Sequence, residues 1–142
     1  MRPIYETAAQ LQGEGGTAKK LEAWIDNPLA TVVKTPPLAP YDYCIVEKGL
    51  ISGVVEIKVR SNPSDKYPTY MISLEKVSRC ALHANIIGCP FYVVVQWTDR
   101  LGRWKFDRDQ YTTGIGGRTD RNDNMDQEPV IYIPIKNFMF RI

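Results

Sequence analysis

The strongest constraint on this chain is one stretch of sequence, "YDYCIVEKGLISGVVEIKVR" at 41–60. Two apolar runs, Tyr43 to Val46 and Leu50 to Val59, flank Glu47-Lys48-Gly49, a hairpin signal with glycine in the turn. Side chains alternate faces along a strand, so Val55, Ile57 and Val59 share one face while Glu56 and Lys58 share the other. The first face should pack against a helix. The second carries a carboxylate and an ammonium on an otherwise apolar strand. Charges are rarely buried without partners, because desolvating a lone ion costs several kcal/mol. That face is therefore either ordinary solvated surface or a site.

The flanking sequence supplies the helices. Residues 4–26 have helical spacing of Leu11, Ala18, Leu21 and Ile25, interrupted by "GEGG" at 13–16, which points to two helices or a kink before Asn27-Pro28 ends the segment. A short strand follows at 31–35, and the proline-rich "TPPLAPY" at 35–41 is extended but cannot be a central strand. After a polar loop, "SNPSDKYP" at 61–68, Ser73 can cap a helix running to Ile87. Leu74, Val77, Ala81 and Ala84 form its apolar stripe and Gly88 its stop. "FYVVVQW" reads as a buried strand, "TDRLGR" as a turn, and "PVIYIPI" and "NFMFRI" as closing strands. The order helix, three strands, helix, strand predicts an α/β domain, a central mixed sheet flanked by helices. We read one domain over 1–142, with a core in about 1–106, a flexible polar and Gly-rich loop over 107–128, and closing strands over 129–142.

The bulk numbers narrow the function classes without choosing one. A net charge of +2 on 142 residues does not announce a nucleic-acid binder by charge alone, nor does it exclude a basic face. Three cysteines with no C-x-x-C pair, and one histidine, argue against a structural zinc site or a disulfide framework. With no signal peptide and no long apolar run, the expectation is a cytoplasmic protein with no membrane partner.

Asp42 turns the charged face into a candidate site. It stands at the outer end of the first hairpin strand, six residues before the turn centre at Lys48, whereas Glu56 lies eight after it. A bulge or the loop has to absorb the difference for the two to meet. Two carboxylates and a lysine converging on a strand pair suit phosphodiester hydrolysis. Hard oxygen ligands hold Mg2+ with several of its waters retained. The cation lowers the pKa of a bound water and neutralises transition-state charge. A lysine orients or deprotonates the water, or stabilises developing negative charge.

Asp42, thirteen intervening residues, and then Glu56-Ile57-Lys58 resemble the P-D…(D/E)-x-K pattern of the PD-(D/E)XK nuclease superfamily, with Pro40-Tyr41-Asp42 carrying one inserted residue. The order of helix, hairpin, second helix and strand over 1–97 resembles that superfamily's core. The layout looks closest to archaeal-type Holliday-junction resolvases and small phage nucleases. The resemblance implies a restriction-endonuclease-like α-β-β-β-α-β core, with Asp42 and Glu56 as ligands to Mg2+ (Mn2+ substituting) and Lys58 as the water-positioning residue. It also implies a first-helix carboxylate, for which Glu14 fits better than Glu6. Lys76 resembles the auxiliary position on the second helix, although an exposed helical lysine explains it as well.

Further residues fit DNA contacts or plainer surface and loop roles. Arg60 continues the parity of Glu56 and Lys58; Lys66, Tyr67 and Tyr70 lie in or beside the loop after that strand; Arg118 and Arg121 lie in a Gly-rich segment whose own acidic residues cancel their charge. His83 stands alone on its helix, and Trp97 and Trp104 read as core or interface rather than as a DNA platform. Together these readings predict a Mg2+-dependent DNA endonuclease acting on a junction, flap or replication intermediate, working as a homodimer. The alternative is a catalytically inactive DNA-binding or protein-interaction module of the same fold, a phage accessory protein acting in the host cytoplasm.

Overall fold

The computed structural model describes residues 8–117 and 127–142. In it the hairpin closes through Lys48 and Gly49, at φ of 53° and 76°, the left-handed two-residue turn whose twist matches that of paired strands. It joins β2 (Tyr43–Glu47) to β3 (Leu50–Val59). Glu47 pairs with Leu50 and Val46 with Ile51, after which the register slips between Ile45 and Val46, so that Ile45 faces Gly53 and Tyr43 faces Val55. This is the bulge that the spacing of Asp42 and Glu56 demands. One more step along the same register sets Asp42 opposite Glu56.

Around this pair a six-stranded mixed sheet forms in the order β1-β2-β3-β5-β6-β9, with β1 Ala30–Lys34, β5 Phe91–Gln96, β6 Leu101–Lys105 and β9 Met139–Phe140. The β3–β5 pair is parallel, Glu56 beside Val93 and Lys58 beside Val95, so the chain must cross over between them. The crossover contains α2 (Leu74–Ile87). Ser73 caps it by accepting the Lys76 N–H at 3.3 Å, and Gly88, at φ 86°, ends it with an N–H to the Ala84 carbonyl. The expected α/β class and α-β-β-β-α-β core are those observed, with one strand the sequence did not announce, Thr69–Ser73, inserted before α2.

On the opposite face lies α1 (Ala8–Ile25), one continuous helix rather than two. Its buried Ala18 and Leu21 pack on Val55, Ile57 and Val94, and that tertiary burial outweighs a glycine penalty of about 1 kcal/mol per residue. The Glu22 carboxylate also accepts the Val32 N–H at 2.8 Å, tying the helix to the edge strand β1. Val59 departs from the expected pattern. It has the parity of Val55 and Ile57 but is 44% exposed, because α1 meets it at Gly13, which has no side chain to cover it: a Cβ there would stand 3.8 Å from Val59 Cγ2.

A second sheet covers the α2 side, in the order β4-β8-β7, from β4 (Thr69–Ser73), β7 (Thr112–Gly117) and β8 (Gln127–Pro134). Tyr70, Ile72, Ile131 and Ile133 share one buried core with Val54, Val77, Cys80, Val93 and Val95. The core therefore extends well past residue 106. The span 107–128, expected to be loop, contains a 3-10 turn at Arg108–Gln110 and the strand β7. Residues 118–126 of that span lie outside the described residues. Of the closing strands, "PVIYIPI" is the centre of the second sheet, and "NFMFRI" contributes only the short edge strand β9. Trp97 and Trp104 are buried in the core as expected. Among the described residues no helix is long and apolar enough to cross a membrane.

The two β3 residues of equal parity should respond differently to truncation. Ile57→Ala, at a fully buried position, is expected to lower unfolding free energy by about 3 kcal/mol, and Val59→Ala by under about 1 kcal/mol, in urea melts with unchanged slopes. Equal losses at the two positions would contradict the packing described.

Candidate functional site

Asp42, Glu56 and Lys76 meet where β2, β3 and the first turn of α2 converge. The Lys76 ammonium lies 3.2 Å from Glu56 Oε2 and 3.6 Å from Asp42 Oδ1. The Glu56 side chain is fully buried and that of Asp42 only 13% exposed. The charged face of β3 is thus not solvated surface. Neither Glu56 oxygen accepts a hydrogen bond from a described residue. A buried carboxylate so placed would normally be strongly disfavoured. It persists here through the Lys76 ion pair and through a neighbouring carboxyl group close enough to share a proton.

The backbone around these residues is anchored by a residue that sequence reading missed. Thr35, buried at the end of β1, donates its N–H to the Asp42 carbonyl at 2.9 Å, and its hydroxyl meets the carbonyls of Tyr41 and Asp42. The Cys80 thiol, one turn beyond Lys76, reaches the Pro40 carbonyl at 3.2 Å. These contacts hold the proline-rich approach to Asp42 between the sheet and α2. The only hint in the sequence was a threonine directly before Pro36, too common a feature to single out.

Electrostatics divide the two carboxyl groups. Burial pushes Glu56 well above the usual carboxylate range, and its hydrogen bond to Asp42 and the Asp42 charge push the same way, against Lys58 and Lys76. Burial also acts to raise Asp42, but its hydrogen bond with Glu56 and the charges of Lys76, Lys58 and Lys34 outweigh it, leaving Asp42 below its ordinary value. The two carboxyl groups behave as a coupled dyad, with the proton residing on the Glu56 side. For Lys76, burial opposes the charge, yet Glu56 and Asp42 more than compensate and its pKa is raised.

The other predicted residues fall into distinct places. Lys58 is half-buried on the Glu56 face, and its charge acts on both carboxyl groups. Glu14 is buried on α1, next to Gly13, whose Cα would carry a Cβ 3.8 Å from Val59 Cγ2; Glu14 thus sits by the Lys58 end of β3. Among the described residues no three His, Cys, Asp or Glu side chains converge as one ligand set, so Glu14 does not join Asp42 and Glu56 in a cluster of three. Arg60 donates to the Tyr70 hydroxyl at 2.7 Å. Lys66 lies over the Tyr67 ring, 5.4 Å from its centroid, in the exposed 61–68 loop. His83 is exposed and packs edge-on to Tyr41. Glu6, Arg118 and Arg121 lie outside the described residues.

A fold of this order, with an Asp and an E-x-K meeting across a bulged hairpin, defines the class of PD-(D/E)XK nucleases. A family model described as "Phage putative PDDEXK endonuclease" matches residues 1–140, and the chain belongs to that family. Among solved structures it is similar to Hjc, a Holliday junction resolvase from the archaeal hyperthermophile Archaeoglobus fulgidus, at a TM-score of 0.51 and 14% identity over 82% of this chain and 86% of that one. No curated protein sequence matches it.

The dyad predicts a pH signature. A carboxyl group titrating higher in the folded chain than the roughly 4.3 of an unfolded one binds its proton more tightly when folded. The stability owed to Glu56 is therefore full below about pH 4.3 and is lost as pH rises through its elevated folded value. Glu56→Gln should raise the melting temperature of the metal-free protein at neutral pH, by about 2 °C or more, with the gain shrinking as pH falls toward 4. A gain that grew on acidification would contradict the assignment.

Proposed function

We propose that the protein is a Mg2+-dependent DNA endonuclease with its centre at Asp42, Glu56 and Lys58. The observation that carries this reading is the pairing of a fully buried Glu56, whose oxygens accept no hydrogen bond from the described residues, with Asp42 across the hairpin. Two buried carboxyl groups side by side, with Lys76 as their nearby counter-charge, fit a hard divalent cation, which takes oxygen ligands and satisfies them without a proton. Asp42 and Glu56 would hold the cation. When bound, Mg2+ supplies charge neutralisation at the scissile phosphate and an acidified water, and Mn2+ would serve in its place.

The chain's own residues then have separable tasks. Lys58, on the same face two residues beyond Glu56, orients the attacking water and offsets charge on the phosphate. Lys76 keeps two carboxyl groups side by side by supplying a counter-charge between them, a positioning role. Glu14 would tune the Lys58 end of the site from α1. The DNA is proposed to be branched, since nothing in the described chain resembles a base-reading helix-turn-helix or zinc finger. Cutting two strands of such a substrate requires two centres, which a homodimer would supply.

The test is a cleavage panel of single-stranded, duplex, flap and four-way-junction DNA, in Mg2+ and in chelator. Wild type should cut at least one branched substrate in Mg2+ only. Glu56→Ala and Lys58→Ala should each lower the rate by about 100-fold or more while retaining a cooperative melt. Unchanged rates in both variants would remove the site assignment. A wild type that binds these DNAs but cuts none, in Mg2+ or Mn2+, would favour the inactive DNA-binding module.

A further inference from the structure

Beyond Lys58 the same strand face leads to Arg60 and into a cleft of about 420 Å³ between the 60–68 loop and the second sheet. Its walls include Arg60, Tyr67, Tyr70, Met71, Trp97 and Tyr132. A cavity of this size falls within the range that holds a nucleotide-sized ligand. Tyr67 is 57% and Met71 40% exposed, so its mouth presents an aromatic ring and a thioether to solvent. Its floor is aromatic: Tyr70 and Trp97 are buried and meet edge-on, with ring centroids 5.9 Å apart.

The walls are held open by structure rather than by chance packing. The 60–68 loop is clamped to the β5–β6 turn. Ser64 donates its N–H and its hydroxyl to the two Asp99 carboxylate oxygens, each at 2.8 Å, and Arg100 Nε donates to Ser64 Oγ at 2.9 Å. On the far side, Tyr132 lies across β7 because residues 114 and 116 are glycines. A Cβ at 114 would stand 2.9 Å from the Tyr132 ring, and one at 116 would stand 2.8 Å from Met71 Sδ. Larger residues there would force both side chains out of these positions.

Its charge completes the case. Among the described residues Arg60 pairs with no carboxylate; its guanidinium donates to the Tyr70 hydroxyl and lies 5.2 Å from that ring's centroid. Lys66 adds a second cation at the rim, over Tyr67. A cation beside stackable rings, on the strand that carries Glu56 and Lys58, suits an unstacked base with its phosphate. Burial pushes the Tyr70 hydroxyl up, with Arg60 opposing and Glu56 adding to the rise, so the floor of the cleft lies within the field of the proposed centre.

We infer that this cleft binds an unpaired nucleotide next to the scissile phosphate, so that the enzyme selects DNA with a single-stranded segment or a strand-exchange point over continuous duplex. The inference rests on the nuclease reading above and names what that site would select. Stacking on an aromatic side chain changes affinity by about tenfold per base. Tyr67, exposed and outside the core, can be changed without threatening the fold.

The experiment measures equilibrium binding at low salt in chelator, where no cutting obscures it. The probes are a hairpin duplex and the same hairpin carrying a short single-stranded flap with 2-aminopurine at its base. Wild type should bind the flap DNA about tenfold more tightly than the duplex, with quenching of the 2-aminopurine emission. Tyr67→Ala should erase the preference and the quenching while leaving duplex affinity unchanged, and Tyr67→Trp should restore both. A preference that survives Tyr67→Ala, or equal wild-type affinity for the two DNAs, overturns the cleft assignment and leaves the nuclease reading standing. Failure of wild type to bind either DNA removes both.

Discussion

The structure depends on burying one carboxyl group, Glu56, in the apolar middle of a sheet. An isolated carboxylate could not remain ionised there, and the chain answers in two ways at once. Lys76 supplies a counter-charge 3.2 Å away, and Asp42 supplies a second carboxyl group through which a proton can be shared. Two carboxyl groups side by side still repel one another when both are ionised. In the proposed function, replacing the shared proton by a divalent ion would relieve the repulsion between the two acids.

Everything else about the fold serves to hold that pair in register. The left-handed turn at Lys48-Gly49 sets the hairpin, the bulge at Ile45/Val46 shifts it by one residue, and the shift puts Asp42 across from Glu56. Thr35 ties the Asp42 carbonyl to the end of β1, and Ser73 starts α2 so that Lys76 falls in its first turn. On the other face, Val55 and Ile57 bury against α1, which keeps the strand from sliding. A one-residue slip would turn every side chain to the opposite face and send Glu56 toward α1.

Much of this was legible in the sequence, for identifiable reasons. Alternation along β3 separates Glu56 and Lys58 from Val55 and Ile57 whatever the tertiary fold, and the turn glycine and capping serine act locally. The need for a bulge followed from counting residues across the turn. What escaped depended on distant partners. Lys76 was matched to the auxiliary position by resemblance, but its residues alone left it equally an exposed helical lysine, because its ion pairs with Asp42 and Glu56 exist only once α2 packs beside β3. The strands β4 and β7 hide in "KYPTYMIS" and "TTGIGG", where proline, glycine and polar residues mask a pairing that only β8 supplies. The unbroken α1 defied its glycines because Ala18 and Leu21 have a sheet to pack on. Val59 kept the right parity but faces a glycine of α1, Gly13, and so stays half uncovered, which the periodicity of β3 does not reveal.

The central claim is that Asp42 and Glu56 form a prearranged site for a hard divalent cation, and calorimetric titration of Mn2+ into the metal-free protein tests it most directly. One site per chain is predicted for wild type. In Asp42→Asn and in Glu56→Gln the affinity should be weaker by about tenfold or more, in line with the loss of a charged ligand. Mn2+ binding of equal affinity in wild type and in both variants would contradict the account.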